Sequence, residues 1–413
     1  MKILHLAQFL PPVAGGEERH VWNLARRLAM RGHDVTLLGF ATDEDGPGET
    51  VSENVRLVRV RTTASKLPAL YSDTSRPHAL PLPDPAVSHA IRRELTAGRF
   101  DVVHAHNWIV NSAVGPAARA GVPLVMTLHD YSHICPTKRL MEHGRSRCPG
   151  PSPMRCLSCA SAHYGAANGT VTVAANAWSA RRRARHLGDA AAVSTAVANA
   201  VAVPVHSWLH GARLQARVIP NFIPDEIIVE EIPPTEPDAP LLFVGDLSPD
   251  KGVQTLLDAY AQLGSPPPLV LAGRSADTWQ FPSGARWAGP LPHHEVLGLF
   301  RSARVVIVPS VWADPCPTVV LEAMAAGRPV VAAASGGILD MVVHGRTGLL
   351  FPPGDVDGLT RALISVLSDP DEARALGMAG LKRAREFTVS AVVERIEEMY
   401  AEAARDHAES AQG

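Results

Sequence analysis

The sequence predicts an α/β protein made of two doubly wound parallel sheets. Three observations carry that expectation. The chain has 413 residues, too many for one ordinary core and enough for two units of about 150–220 residues each. Short apolar runs alternate with amphipathic helical stretches along its whole length, as parallel sheets with crossover helices require. The alternation breaks at residues 223–240, rich in Pro and acidic side chains and without helical or strand period, and then restarts. Those residues read as a linker between a unit over 1–222 and a second over 241–388. Residues 389–413 read as a terminal amphipathic helix.

The elements follow in order. Residues 3–9 form a near-continuous apolar strand, Gly15-Gly16 a turn, and residues 17–31 a helix with Val21, Leu24, Ala25 and Leu28 on one face, ended by Gly32. Further strands are expected at 34–40, 55–60, 100–106, 123–129, 190–195 and 216–220. In the second half they are expected at 241–245, 269–273, 305–308, 330–333 and 348–351. The opening MKILHLAQFLPPVAGG reads as a strand and Gly-rich turn rather than a signal peptide, since one Lys precedes the apolar run and a helix follows directly. No run of about 20 apolar residues free of charge appears, and a cytoplasmic location is expected. A net charge of −2 gives no global electrostatic case for nucleic acid. Arg181-Arg182-Arg183-Ala184-Arg185 reads first as a solvated helical face, and second as a peripheral contact to an anionic inner membrane surface.

Open α/β sheets bind ligands at the carboxyl ends of their strands, and the chemistry-bearing residues fall there. In SVWADPCPTVVLEAMAAGRPVV a strand ends at Pro309-Ser310, a loop carries Asp314, and a helix opens near Thr318 with Glu322 on its second turn. Free amides and the positive helix end suit a phosphate at that place. Pro317 has no N–H, so Thr318 and Val319 would supply the amides. Gly15-Gly16 and Gly336-Gly337 would allow close backbone approach, though a tight turn is the plainer reading of each pair. The first pair is not the G-x-G-x-x-G dinucleotide fingerprint, which disfavours a nicotinamide dehydrogenase. His129 ends the strand PLVMTLH. His104 and His106 lie on one side of the preceding strand and are candidates for an acceptor pocket, shaped in part by the irregular segment 66–85. A metal site there has no third ligand nearby in sequence. Four cysteines crowd into residues 131–165 as Cys135-x12-Cys148-x7-Cys156-x2-Cys159. In a cytosolic chain that clustering favours a structural tetrahedral zinc over disulfides, with free thiols in a loop as the alternative.

Taken in order, Gly15-Gly16-Glu17-Glu18-Arg19, His129-Asp130, Lys251-Gly252 and Asp314-x7-Glu322 resemble the motifs of the retaining nucleotide-sugar glycosyltransferases of family 4, some of which carry a similar Cys-rich segment after the HD motif. The resemblance covers essentially the whole chain. It implies the GT-B fold, two Rossmann-like domains across a cleft, with the terminal helix crossing back to the first. It implies transfer of a hexosyl group, with retention and without a catalytic metal, from a UDP- or GDP-sugar to a hydroxyl of a small-molecule, glycan or lipid-linked acceptor. His129 would contact the transferred sugar, Lys251 the diphosphate, Asp314 the sugar hydroxyls and Glu322 the ribose. The family's usual VGRLxxxKG reads here VGDLSPDKG, with Asp246 in place of Arg, so that either Asp246 points away or another arginine, for example Arg274, substitutes. Rival readings are another GT-B enzyme, such as an epimerase or phosphorylase, and a non-catalytic nucleotide-sugar binding subunit.

Overall fold

The computed structural model describes residues 1–11, 16–42, 45–66, 78–186, 193–208, 216–236 and 238–410. Contacts divide the chain into two compact units, one of Met1–His143, Cys148–Pro220 and Val392–Gly413, the other of Gly144–Arg147 and Asn221–Ala391.

The first unit carries β1 (Lys2–Leu6), β2 (Asp34–Phe40), β3 (Gly48–Ser52), β4 (Val55–Val60), β5 (Val102–His106) and β6 (Leu124–Leu128). After the two-residue strands β7 (Met141–Glu142), in this unit, and β8 (Ser146–Arg147), whose residues are grouped with the other, come β9 (Val193–Ala196) and β10 (Ala216–Val218). The sheet runs β10-β9-β6-β5-β1-β2-β4-β3, parallel except for β3 against β4. Every residue of β5 and β6 is buried, which is why central parallel strands read as continuous apolar runs. The helix Gly16–Met30 sets Val21, Leu24, Ala25 and Leu28 inward, as its periodicity predicts. β3 was not anticipated. Four of its five residues are exposed, and it exists because Glu53 and Asn54, at φ 47° and 64°, make a two-residue turn that folds it back onto β4.

The second unit carries β11 (Leu241–Val244), β12 (Leu269–Ala272), β13 (Ala285–Gly289), β14 (Val305–Val308), β15 (Val330–Ala333) and β16 (Leu349–Phe351). Its all-parallel sheet is ordered β13-β12-β11-β14-β15-β16. Strand order reverses between β11 and β14, the switch point at which such sheets open a crevice. β13, absent from the strands expected of this half, is a half-exposed edge strand. Residues 223–240 do not hang free. Ile223 donates to the Phe387 carbonyl at 2.9 Å, Val229 to that of Ala325 at 3.0 Å, and Arg328 reaches Thr235 at 2.8 Å.

The terminal helix Val389–Ser410 passes into the first unit at Val392. Val392, Val393, Ile396, Met399, Tyr400 and Ala403 are buried along one face, and Arg31 holds Glu397 through two bonds of 2.7 and 2.8 Å. The basic run in the helix Ala166–His186 is a solvated face only in part: Arg181 is exposed, but its described neighbours turn inward. Arg183 is buried, bonded to the Asn111 side-chain oxygen at 2.6 Å, and burial pushes its guanidinium down to about 10. Arg182 bonds the Asn111 carbonyl at 3.0 Å. Among the described residues no helix is long and apolar enough to cross a membrane.

Candidate active site

In the second unit the expected donor residues gather at the carboxyl ends of β11, β12, β14 and β15. The turn after β11 carries Lys251, whose Nζ lies 2.5 Å from Asp314 Oδ2 and 5.2 Å from the centre of the Trp312 ring. Asp314 is buried and Lys251 only partly so. The loop that presents Asp314 is clamped from several sides. Val311 and Trp312 donate to the Asp250 carbonyl, Ser335 Oγ to that of Trp312, and Gly337 to that of Asp314 at 2.8 Å. Gly336 sits at φ 59°, and a Cβ there would fall 2.2 Å from the Asp314 carbonyl oxygen, so no other residue fits without moving that loop. Gly252, at φ 75°, likewise packs against the Pro309 carbonyl, where a Cβ would meet oxygen at 1.9 Å.

The helix Thr318–Ala325 begins directly after Pro317. Thr318 and Val319 are half-buried at its first positions, where helix geometry leaves amides unused. Glu322 is buried one turn further on and meets His293 Nε2 at 3.0 Å. His293 opens the helix that follows β13. Sequence reasoning missed this partner because 29 positions separate the two. Arg274, after β12, grips Asp246 with both arms, Nε to Oδ1 at 3.1 Å and Nη2 to Oδ2 at 2.9 Å. Asp246 is thus paired with the guanidinium of Arg274. Of the donor residues expected in the first unit, Gly15 lies outside the described residues, and Gly16 starts a helix with open space where a Cβ would sit.

In the first unit His129 follows β6 and is buried. His106 Nδ1 lies 2.8 Å from its Nε2. His104 and His106 do not line a pocket, contrary to expectation. They are 1% and 0% exposed, and both nitrogens of each are within hydrogen-bonding distance of other side chains. The third imidazole missing from the sequence pattern is His5 on β1, in register with His104. Ligand atoms of His5, His104 and His106 lie within 4.8 Å of one another, the one group of three or more His, Cys, Asp or Glu so placed among the described residues. Glu17 accepts from Asn107 at 2.8 Å. Burial, with Glu18 and Asp130 nearby, pushes its carboxyl up to about 8. Part of segment 66–85, residues 67–77, lies outside the described residues. Residues 78–80 and 82–85 of the segment line a cavity of about 190 Å³ together with Phe40, Thr63 and Ser112 among others.

None of the four clustered cysteines is in a disulfide. Cys156 and Cys159 ride the helix Pro153–Tyr164, capped by Ser152. Backbone amides point at two of the sulfurs, His143 N at Cys159 Sγ and Gly150 N at Cys148 Sγ, each at 3.4 Å. Burial, with the neighbouring thiols, pushes Cys148 and Cys156 up.

Two doubly wound units, one bearing a paired lysine and two acidic residues about a helix N-terminus at its switch point, are the components of a GT-B glycosyltransferase. The comparisons agree. Residues 225–383 match the model described as glycosyl transferases group 1, and residues 14–227 that of Glycosyltransferase Family 4. A glycogen synthase of Mycobacterium tuberculosis is 30% identical over 93% of this chain and 90% of its own. A D-inositol 3-phosphate glycosyltransferase of Kribbella flavida is 29% identical over 91% of this chain and 87% of its own. Among solved structures, sucrose-phosphate synthase from Thermosynechococcus elongatus superposes with a TM-score of 0.70 at 20% identity, covering 97% of this chain and 98% of that one. Anabaena HepE, in complex with UDP and glucose, gives 0.65 at 20% identity, covering 97% and 100%. The chain belongs to glycosyltransferase family 4.

Proposed function

We propose that this glycosyltransferase moves a hexosyl group from a nucleotide diphosphate sugar, a UDP- or GDP-sugar, to a hydroxyl acceptor with retention of anomeric configuration. The single observation that carries the reading is the Lys251–Asp314 pair at 2.5 Å beside the first turn of the helix Thr318–Ala325. A departing diphosphate develops negative charge, and a fixed ammonium with aligned amides stabilises that charge without reorganising. Lys251, Thr318 and Val319 serve the diphosphate, Glu322 held by His293 the ribose, and Asp314 the sugar hydroxyls. His129 is assigned to the transferred sugar. In this reading the leaving phosphate oxygen takes the acceptor proton on the same face, so neither a side-chain base nor a catalytic metal is required. The ion pair of Arg274 and Asp246 speaks against a degenerate binding subunit, because the carboxylate that would repel a donor has a bidentate partner.

The names of the relatives point to a glucan or an inositol phosphate as the acceptor class. The test is a matrix of nucleotide sugars against glucans, inositol phosphates and polyprenyl acceptors, read by mass spectrometry, with the anomeric proton coupling of any product. A product of inverted configuration, or conversion of donor without acceptor, would replace this reading with another GT-B chemistry. A structural zinc on Cys135, Cys148, Cys156 and Cys159 belongs to the same proposal. Its support is the pair of N–H···S contacts, which suit thiolates better than thiols, and binding would draw the four sulfurs together to about 2.3 Å from the ion.

A further inference from the structure

The first unit holds in its core a line of polar side chains of which the proposed chemistry uses only the last, His129. Thr127 Oγ1 lies 2.7 Å from His104 Nε2, and His104 Nδ1 lies 2.7 Å from the Tyr400 hydroxyl. That hydroxyl lies 3.3 Å from His5 Nε2, and His5 Nδ1 lies 3.5 Å from His106 Nε2. The line ends with His106 Nδ1 at 2.8 Å from His129 Nε2. His5, His104, His106 and Tyr400 are at most 1% exposed. Burial pushes His5 down to about 3, His104 and His106 well below the usual imidazole range, and the Tyr400 phenol well above its own. All four are therefore neutral.

Neutrality imposes a rule. A neutral imidazole has one N–H and one lone-pair nitrogen, and a phenol has one O–H. Two facing nitrogens bond only if one of them carries a proton. Each interior member must therefore accept on one side and donate on the other, and the hydrogens must all point the same way. If they run toward His129, His104, His5, His106 and His129 all carry the proton on Nδ1. If they run away from it, all four carry it on Nε2. We propose that Thr127, His104, Tyr400, His5, His106 and His129 form one directional hydrogen-bond chain that sets the tautomer of His129, with Tyr400, His5 and His106 as positioning residues. The tautomer decides whether the second nitrogen of His129 donates or accepts, and so what it offers a sugar hydroxyl. That last consequence rests on the role given to His129 above; the chain itself does not.

The same three rings, His5, His104 and His106, have a spacing that a cation could bridge. Their nitrogens are already matched to Tyr400, Thr127, His129 and each other, and no carboxylate is among those partners, so an ion would bring uncompensated charge into the core. The hydrogen-bond chain is the reading the contacts favour.

Long-range proton–nitrogen correlation spectra of protein labelled with ¹⁵N-histidine distinguish the two tautomers. Wild-type protein should show the four rings neutral and in one shared tautomer between pH 6 and 8. Tyr400→Phe keeps the volume and cuts the chain. It should leave His106 and His129 in mixed tautomers and lower kcat about tenfold, the scale of one hydrogen bond, with KM for the donor unchanged. Unlike tautomers among the four rings in wild type overturn the proposal whether or not the variant folds, as does a Tyr400→Phe spectrum identical to wild type. Zinc retained by protein whose four clustered cysteines are replaced by serine, and lost on His104→Ala, also overturns it. Because the spectra need no substrate, a shared tautomer without transfer activity would refute the proposed function alone.

Discussion

Replacing Lys251 with Ala separates what the Lys251–Asp314 pair does for the fold from what it does for the reaction. Asp314 is 9% exposed at its side chain and Lys251 28%, so the pair lies between a surface ion pair and a buried one. Surface pairs are worth about 0–1 kcal/mol, and stripping one partner from a buried pair costs about 3–5 kcal/mol. Lys251→Ala should therefore lower the unfolding free energy of the second unit by about 2 kcal/mol, because it leaves an unmatched carboxylate. It should lower turnover by about 100-fold, the scale for losing one preorganised charge partner. Adding Asp314→Asn removes the unmatched charge, and the double variant should regain stability to within about 1 kcal/mol while turnover stays low. Asp314→Glu is the control for reach, and should keep activity if the carboxylate contacts sugar hydroxyls. Urea unfolding and steady-state kinetics on the same preparations read both quantities. Lys251→Ala within threefold of wild-type kcat/KM, or a double variant that regains turnover with stability, would refute the assignment.

Glu322→Gln should raise the donor KM about tenfold with kcat nearly unchanged, since a ribose contact is made in ground and transition states alike; a fall in kcat alone would contradict that. Arg274→Ala should change stability by less than about 1 kcal/mol, as an exposed pair, yet weaken donor affinity, and the further change Asp246→Ala should restore it in a titration calorimeter. If the four clustered thiols hold zinc, elemental analysis should find about one zinc per chain beyond what a four-serine variant keeps, and chelation should lower the melting temperature of wild type but not of that variant. Glu17, pushed up from 4.5 to about 8, binds a proton more tightly folded than unfolded. Stability should therefore fall as pH rises from about 4.5 through 8. Glu17→Gln should match wild type at pH 4 and exceed it at pH 9 in melting temperature; parallel profiles would place the carboxyl in ordinary solvent.

What could be read in the sequence was what local pattern controls. β2, β4, β14 and β15 lie where apolar runs bounded by turns put them, and the helix after Pro317 begins at the residue its missing N–H implies. β3 and β13 escaped because edge strands need not alternate or be apolar, and they are recruited by a neighbour rather than by their own composition. The site divides along the same line. Lys251, Asp314 and Glu322 stand in motifs a few residues long, so their type and spacing carried the reading. Their partners come from other strand ends, as His293 does for Glu322 and Arg274 for Asp246, and no spacing rule connects them. Asp246 is the instructive exception. A carboxylate where a diphosphate site needs a cation is a charge imbalance visible in the sequence; it singles out Arg274 as a substitute cation, and the structure pairs that arginine with Asp246 itself. His104 and His106 carried no such imbalance. Two neutral imidazoles on one face of a strand are satisfied equally by a pocket or by a core, and only the register of β1 against β5, which brings His5 beside them, decides for the core. Sequence therefore betrays distant partners when charge must be matched, and conceals them when only hydrogen bonds must be.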